Sequence, residues 1–321
     1  MTRFILRRVF QLLPLVIGIT FLSFAIMKLA PGDYLSQMQG NPSVSPETII
    51  RLRHQYGLDK PWLVQYWLWL VNACHGNFGY SFEYKANVFD MIKPFVGATI
   101  LLSVTSSFIS YGIALPAGIY AATHRGGVVD RISTVVAAAG VSIPAFFAAI
   151  LALLFAHVTG WFPVGGMTSN DHDTMSTLGK FWDVARHLIL PAFVLGIRGV
   201  SVVLRQMRGN LLEVLSENYI MAARARGLSE RMVIWKHGVR NAINPLVTLF
   251  GSDLGALLAG AALVEKVMAW PGLGRLLLQA VQSKDLYLAM ASFVMGAVML
   301  ILGNLVADIL LAITDPRIKY S

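Results

Sequence analysis

Six long apolar blocks alternate with more polar segments along the chain. They cover approximately residues 10–29, 98–122, 133–158, 188–206, 243–264 and 286–313. Each block reaches the ~20 residues that a helix needs to cross a hydrocarbon core of about 30 Å. The pattern predicts an all-α integral membrane protein with six transmembrane helices. The N-terminal part, residues 1–29, contains the first span, and the other five spans form a core over residues 98–313.

The first block is predicted to remain in the mature chain. A cleaved secretory signal has an apolar core of roughly 7 to 15 residues and a small-residue cleavage site. The block here is longer, and the Lys-Leu-Ala-Pro-Gly run at residues 28–32 offers no good site. We therefore expect a retained first helix that starts in the cytoplasm.

The segment between the first two spans, residues 30–97, is predicted to form an outer subdomain on the membrane surface. Within it, residues 61–70 have the sequence Pro-Trp-Leu-Val-Gln-Tyr-Trp-Leu-Trp-Leu. This run is too short to cross a bilayer, and its aromatic residues suit a helix lying at the level of the lipid headgroups. Turns are expected at Gly57, Gly76 and Gly79.

The composition excludes a soluble protein. Hydrophobic residues make up 56% of the 321 residues and charged residues only 13%, against roughly 25% charged residues in an average soluble domain. The mean hydropathy is +0.62. So few charged side chains would not cover the surface of a soluble chain of this size.

The formal net charge of +9 fits either a nucleic-acid-binding protein or a membrane protein with a basic inner face. Most basic residues outside the 30–97 segment lie on the predicted inner connections, about half of them within residues 205–240. By the positive-inside rule, both termini, including the tail 314–321, lie in the cytoplasm. The charge is thus an orientation signal, and no nucleic-acid partner is expected.

Signatures of catalysis and nucleotide binding are missing from the sequence. It contains no Gly-x-x-x-x-Gly-Lys-Ser/Thr loop, no His-Glu-x-x-His helix and no Gly-x-Ser-x-Gly elbow. The single cysteine, Cys74, excludes an intrachain disulfide and a cysteine metal cluster. Asp171, His172 and Asp173 fit either a metal site or a solvated loop tip, and the sequence leaves their role open. We expect no catalytic site, cofactor or metal in this chain.

Charged residues within the predicted spans are candidates for a polar path. Asp253 and Arg198 lie within the fifth and fourth spans, where a charge is costly and normally faces a cavity or a partner. Asp253 fits either a pathway role or a structural hydrogen bond. Nearby, Gly251, Gly255 and Ala259 are spaced by four, which favours close helix packing. A second membrane subunit is one candidate for the neighbouring helix.

The connection between the fourth and fifth spans has an ordered helical pattern. One predicted helix stops at Gly227, and Ser229 is placed to cap a second one. A helix–glycine–helix hairpin rich in arginine suits a docking element that pairs with acidic groups on a partner. It equally suits a basic loop that touches anionic lipid headgroups.

Five separated motifs stand out in order along the chain. They are Leu29-Ala30-Pro31-Gly32-Asp33; Tyr56-Gly57-Leu58-Asp59-Lys60-Pro61 before Gln65-Tyr66; Ala222-Ala223-Arg224-Ala225-Arg226-Gly227-Leu228-Ser229-Glu230-Arg231 continuing through His237, Arg240-Asn241-Ala242 and Pro245; Trp270-Pro271-Gly272-Leu273-Gly274-Arg275 after Glu265; and Asp315-Pro316-Arg317. Together they resemble binding-protein-dependent ABC importer permeases of the dipeptide/oligopeptide/nickel branch, specifically the first-type membrane subunit. The third motif resembles the cytoplasmic "EAA" loop of that family.

The resemblance implies a type I ABC importer permease fold and a role in ATP-driven import of di- or oligopeptides. It implies that Ala222, Ala223, Arg224 and Gly227 belong to a coupling helix, within a cytoplasmic loop of residues 207–242, that docks on an ATP-binding subunit. The implied partners are a second homologous permease subunit, two ATP-binding subunits that hold ATP and Mg, an external solute-binding protein and the lipid bilayer. The implied location is the bacterial cytoplasmic (inner) membrane.

Three positions depart from the family pattern. Met221 replaces the acidic residue that heads the general loop motif, Asn77 stands where aspartate is more frequent, and Tyr34 stands where proline is usual. Other functions also stay open. The same assembly could import a nickel complex, glutathione or an oligosaccharide. An ATP-independent secondary carrier could use Asp253 as an ion site, although we find no internal repeat of the kind such carriers often show. An intramembrane enzyme is disfavoured by the missing catalytic constellation.

Overall fold

The computed structural model describes residues 2–29, 32–38, 45–258 and 260–314. The motif residues Ala30, Pro31 and Asp315-Pro316-Arg317, and Ala259 of the small-residue stripe, lie outside these ranges. The long helices are α1 (Thr2–Leu29), α5 (Val88–Thr123), α8 (Thr177–Leu215) and α15 (Leu286–Thr314). The shorter ones are α2 (Tyr34–Met38), α3 (Pro46–Gln55), α4 (Trp62–Cys74), α6 (Val128–Ser142), α7 (Ala145–Thr159), α9 (Asn218–Ala225), α10 (Glu230–Met232), α11 (Arg240–Ala242), α12 (Asn244–Leu258), α13 (Ala262–Val267) and α14 (Leu273–Gln282).

Three further elements complete the described chain. Strands β1 (Tyr80–Ser81) and β2 (Ala86–Asn87) pair antiparallel, with Tyr80 opposite Asn87. A 3₁₀ turn covers His172–Thr174, and a π-helical turn covers Val233–Val239. The prediction of an all-α chain is thus confirmed apart from one minimal hairpin.

The chain divides into two compact units. The first consists of Met1–Thr99 and Pro271–Met299, and the second of Ile100–Trp270 and Leu300–Ser321. Helices α5 and α15 run through both units. The segment predicted as an outer subdomain belongs to the first unit, and the 207–242 segment belongs to the second.

Four described segments are long and apolar enough to cross a membrane. They are Pro14–Ser36, Val88–Thr123, Thr177–Leu215 and Leu286–Leu310, which overlap the first, second, fourth and sixth predicted spans. A bent pair of helices, α6 and α7, raises the number to five if the pair counts as one span. The predicted count of six continuous spans is not confirmed among the described residues.

The third predicted span, residues 133–158, is interrupted by a bend of 103° between α6 and α7. Pro144 lies at this break. Proline has no amide hydrogen and pushes the preceding residue out of the helical region, and Ile143 accordingly has extended backbone at φ −86° and ψ 121°. One apolar block therefore forms two helices of 15 residues each.

The fifth predicted span, residues 243–264, is also interrupted. It forms α12 and the start of α13, and neither helix alone reaches the length of a span. Gly260, between the two, has φ +101°, a conformation that ends a helix and favours glycine. Apolar composition alone did not predict this break.

The first unit has a small core around Leu35, Ile49 and Phe82. Asp285, fully buried beside the start of α15, ties the hairpin region to this core. Its carboxylate accepts hydrogen bonds from Ser81 Oγ at 2.7 Å and from the Glu83 amide at 3.1 Å. Burial raises the pKa of the Asp285 carboxyl, and these hydrogen bonds act against the increase.

Helix α4 packs against α1 within the same unit. The Tyr66 hydroxyl donates to the Ile17 carbonyl at 3.2 Å and lies 3.0 Å from the Thr20 hydroxyl. Away from Tyr66, α4 exposes large apolar side chains, among them Val64 and Trp67. A helix is present where the sequence predicted an interfacial one, and its level in the bilayer stays a prediction.

The second unit is organised around α8. Met207 and Leu211 are fully buried in its core cluster, and a Cβ added at Gly118 of α5 would lie 2.9 Å from the Met207 Cβ. Helix α6 is tied to α8 by the ion pair of Asp130 with Arg208, in which Nη2 lies 3.1 Å from Oδ2. α8 thus supports the segment that follows it.

Candidate functional site

The 207–242 segment contains the last turns of α8, then α9, a turn at Gly227, α10, the π-helical turn and α11. Gly227 has φ +77°, a backbone conformation that side-chain-bearing residues rarely adopt. A Cβ added there would meet nothing within 4 Å. The turn therefore favours glycine for its backbone conformation, and the position of an added Cβ is open. Ser229 holds the N-cap position of α10, but its side chain makes no capping hydrogen bond.

The two arms of this hairpin enclose a small core. Ile220 and Val233 are completely buried, and Ala223 is 8% exposed. Leu215 and Leu228 pack on the same cluster. Ala223, one of the four predicted coupling residues, therefore points into the segment itself and holds α9 against the second arm.

An ion pair closes the hairpin across the turn. Arg224 donates from Nη2 to Glu230 Oε1 at 2.7 Å and from Nε to Oε2 at 3.1 Å. The hydrogen bonds from Arg224 lower the pKa of the Glu230 carboxyl. The sequence predicted that arginines of this segment pair with a partner, whereas Arg224 is paired within the segment.

The hairpin is attached to α8 at its second arm. The Asn210 side-chain amide donates to the Ala242 carbonyl at 3.1 Å. Gly238, buried in the π-helical turn, is close enough to α8 that an added Cβ would lie 3.1 Å from a Leu211 methyl and 3.3 Å from a Leu215 methyl. A displacement of the hairpin would therefore act directly on α8.

One face of the segment remains exposed. Ala222 is exposed on α9, beside Met221, which is 53% exposed, and Trp235 is 56% exposed on the second arm. The basic side chains of Arg226 and Lys236 lie on the exposed part as well. Of the four predicted coupling residues, Ala222 alone combines an exposed side chain with no role in holding the hairpin.

The structure brings together the polar residues predicted within the spans. Asp253, on α12, is half-buried and accepts a hydrogen bond from the Tyr111 hydroxyl at 3.1 Å. Arg198 lies on α8, and its positive charge attracts the Asp253 carboxylate. Tyr111 also contacts Phe250 edge to face, with ring centroids 5.0 Å apart. Both a pathway role and a structural role remain compatible with this cluster.

Replacing Asp253 by asparagine separates these two roles. Asparagine can still accept the Tyr111 hydrogen bond but loses the charge that faces Arg198. If the charge lines the path, we expect uptake to slow by about tenfold, equivalent to about 1.4 kcal/mol in the barrier. The matched variant Tyr111→Phe keeps the charge and should retain most of the uptake. Normal uptake with a lowered melting temperature in Asp253→Asn would show a structural role.

The predicted small-residue stripe forms a close helix contact within this chain. Gly251 and Gly255 of α12 are buried. A Cβ added at Gly303 of α15 would lie 2.5 Å from the Gly255 Cα. Gly255 of this stripe therefore packs against α15 of the same chain, and a second subunit as a further neighbour stays a prediction.

Asp171, His172 and Asp173 do not form a metal site in the structure. The His172 Nδ1 lies 2.7 Å from Asp183 Oδ2, and the same carboxylate accepts hydrogen bonds from the Ser169 amide at 2.9 Å and hydroxyl at 2.6 Å. Within the described part of the chain, no group of three His, Cys, Asp or Glu side chains could hold a metal ion. The network instead fixes the loop to the start of α8.

Two family profiles together match almost the whole chain. The profile of the inner membrane component of binding-protein-dependent transport systems matches residues 114–320, and that of the N-terminal part of such membrane components matches residues 1–103. The chain belongs to this family. It is thus a permease subunit and a multi-pass inner membrane protein.

Curated relatives align with the permease over its full length. The oligopeptide transport system permease protein AppB of Bacillus subtilis is 39% identical over 322 residues, covering 100% of both chains. The di/tripeptide transport system permease protein DppB of Pseudomonas aeruginosa is 38% identical, and the dipeptide transport system permease protein DppB of Escherichia coli K12 is 37% identical. Both alignments cover 100% of this chain and 99% of the relative.

A solved structure supports the fold. The inward-facing MetNI methionine ABC transporter aligns with a TM-score of 0.55 and 18% identity, covering 70% of the permease and 96% of that chain. At this identity the likeness concerns the fold alone, and it confirms the prediction of a type I permease architecture.

Two polar neighbours of the predicted site residues were not predicted from the sequence: Tyr111 beside Asp253, and Glu230 beside Arg224. Tyr111 is uncharged and was not sought among the ionisable groups, although a hydroxyl within a span also needs a partner. Glu230 stands six residues from Arg224, across the Gly227 turn, so helical spacing did not connect them. A search for polar pairs on either side of a predicted turn would have found this pair.

Proposed function

We propose that the permease forms the translocation path of an ATP-driven importer for di- or oligopeptides, together with a second homologous permease. The observation that carries the proposal is the 207–242 hairpin, which has its own small core, is hydrogen-bonded to α8 and exposes apolar and basic side chains. A segment of this kind can transmit a push from a partner to a spanning helix.

The energy source must lie on another chain. The sequence contains no phosphate-binding loop, so ATP and Mg are held by two ATP-binding subunits that dock on the hairpin from the cytoplasm. The exposed Ala222 leaves room for close approach, while Met221 and Trp235 supply apolar contact. Ala223, Arg224 and Gly227 act indirectly, because they hold the hairpin in shape. In this arrangement both termini are cytoplasmic, and a solute-binding protein delivers the substrate from outside.

Peptides are the proposed substrate class because the relatives described above are named as peptide permeases. Asp253 and Arg198 would then offer one charge of each sign to a zwitterionic peptide. A nickel complex, glutathione or an oligosaccharide is the alternative cargo of the same assembly.

Reconstitution tests this function. The permease, its partner permease, the ATP-binding subunits and the solute-binding protein are placed in liposomes, and uptake of a labelled di- or tripeptide is followed with and without ATP. We expect uptake only with the complete set and ATP. Uptake by this chain alone without ATP would show a secondary carrier. ATP-dependent uptake of another solute class, but not of peptides, would contradict the substrate.

The ion pair within the hairpin gives a smaller prediction. It is exposed, so a double-mutant cycle on Arg224→Gln and Glu230→Gln should give a coupling energy of about 0.2–1 kcal/mol in stability. Because Arg224 lowers the pKa of Glu230, this contribution is complete above the ordinary glutamate pKa and disappears as the pH falls through the lowered value. A coupling energy independent of pH would contradict this pairing.

A further inference from the structure

We propose that the first unit contains a binding pocket for the phosphate group of an anionic phospholipid. The pocket is a cavity of about 240 Å³ at the end of α1. Three basic side chains line it, from Lys28, Arg53 and Lys284, against a single carboxylate, that of Asp33. Basic side chains therefore outnumber carboxylates in the lining, which suits an oxyanion.

The basic side chains are brought together by specific contacts. Arg53 Nη2 donates to Asp33 Oδ1 at 2.8 Å and to Ser36 Oγ at 3.0 Å, so its guanidinium is held in place while these bonds use only part of its five N–H donors. Gly32 has φ +75°, and a Cβ added there would lie 3.6 Å from Lys284 Nζ. Lys28 Nζ lies 5.8 Å from the centre of the Phe24 ring, and cations bind favourably over such rings.

The position of the pocket indicates a lipid as the source of the anion. Lys28 stands in the last turn of α1, near the end of the predicted first apolar block, residues 10–29, and Lys284 stands just before α15, where another candidate span begins. Both ends belong to the same unit. A place where two spans reach the membrane surface lies at the level of the headgroups, where lipid phosphates are concentrated.

The walls of the pocket suit an amphiphile. One side is aromatic, since Tyr34 stacks on Phe82 at 5.9 Å and Phe82 contacts Tyr287 at 6.4 Å. Met27 and Leu286 provide an apolar side. A phosphate could thus bind the cations while the glycerol and upper acyl chain contact these apolar groups. Simple snorkelling of lysines would need neither the hydrogen-bonded Arg53 nor a pocket of this volume.

Lipid binding to the full-length chain in detergent is measured by native mass spectrometry, with phosphatidylglycerol and phosphatidylcholine as probes. We expect phosphatidylglycerol to bind at least tenfold more tightly to the unaltered chain. Lys28→Gln combined with Lys284→Gln should remove this preference. The matched variant Lys93→Gln, which loses one basic side chain from α5 in the same unit, should keep it. The conservative change Lys28→Arg should also keep it, which separates lost binding from misfolding.

Two results would overturn the proposal. One is equal binding of the two lipids to the unaltered chain, which would indicate headgroup-independent snorkelling. The other is a site that binds inorganic phosphate or glycerol 3-phosphate as tightly as the lipid, which would indicate a soluble anion as the ligand. Neither outcome depends on transport, so the proposed function is tested separately.

Discussion

Replacing Gly227 by valine should uncouple ATP hydrolysis from uptake while the permease still inserts and assembles. The residue has φ +77°, and a β-branched side chain strongly resists this conformation. Forcing it costs about 1–3 kcal/mol, or about 5- to 150-fold in the population of the native turn. The hairpin would then relax towards another turn, and Ala222 would lose its position relative to α8. We expect peptide uptake to fall by about 5- to 150-fold, with ATP hydrolysis retained.

Two variants control this experiment. Gly227→Asn introduces a side chain that tolerates positive φ, and since an added Cβ meets nothing within 4 Å, uptake should be nearly normal. Gly209→Ala changes a glycine inside α8 that also has open space, and it should have little effect. If Gly227→Asn were as defective as Gly227→Val, the cause would be the side chain at a docking surface rather than the backbone of the turn. Normal uptake by Gly227→Val would contradict the proposed coupling role.

Replacing Gly303 by valine should strongly destabilise the second unit. The added Cβ would lie 2.5 Å from the Cα and 2.6 Å from the amide nitrogen of Gly255. Both are backbone atoms, so the clash is relieved only by separating α12 from α15. Overpacking of this kind costs about 1–3 kcal/mol and occasionally more. We expect a melting temperature several degrees lower and reduced amounts of protein in the membrane.

The matched control is Gly112→Val on α5. It places the same side chain within a spanning helix at a position where an added Cβ meets nothing within 4 Å. Its melting temperature, measured on the purified chain in detergent, should stay close to that of the unaltered protein. Equal destabilisation by both variants would mean that the loss comes from helix propensity, and the close α12–α15 contact would not explain it.

The lengths of the apolar blocks predicted correctly that the chain is a membrane protein. They did not predict where its helices break. Hydrocarbon thickness sets how many apolar residues a span needs, so α1, α5, α8 and α15 could be located from their apolar blocks. The bend at Pro144 was detectable in principle, because proline restricts its predecessor, but proline is tolerated in spans such as α8, which contains Pro191. The break near Gly260 depends on local backbone conformation, for which an apolar glycine–alanine run gives no signal.

The sequence predicted which segment forms the site, but it did not predict what each residue does within it. Glycine at 227 indicated a turn because of its conformational freedom, and the structure has that turn. The direction of Ala222 and Ala223 was not predictable, because neighbouring residues on a helix differ by about 100° and alanine fits either surface. The hydrogen bond between Asp253 and Tyr111 forms only when distant parts of the chain fold together. The pairing of Arg224 with Glu230 depends on the conformation of the turn between them.

Cross-linking from position 222 tests most directly that the hairpin docks on an ATP-binding subunit. Cys74 is the single native cysteine of the chain. Cys74→Ala combined with Ala222→Cys therefore leaves the permease with one thiol, at an exposed position. This thiol can carry a photoactivatable cross-linker in the assembled transporter. Leu178→Cys, at an exposed position near the start of α8, is the control. We expect a cross-link to the ATP-binding subunit from position 222 and none from position 178. A cross-link from position 222 only to lipid or to the solute-binding protein would contradict it.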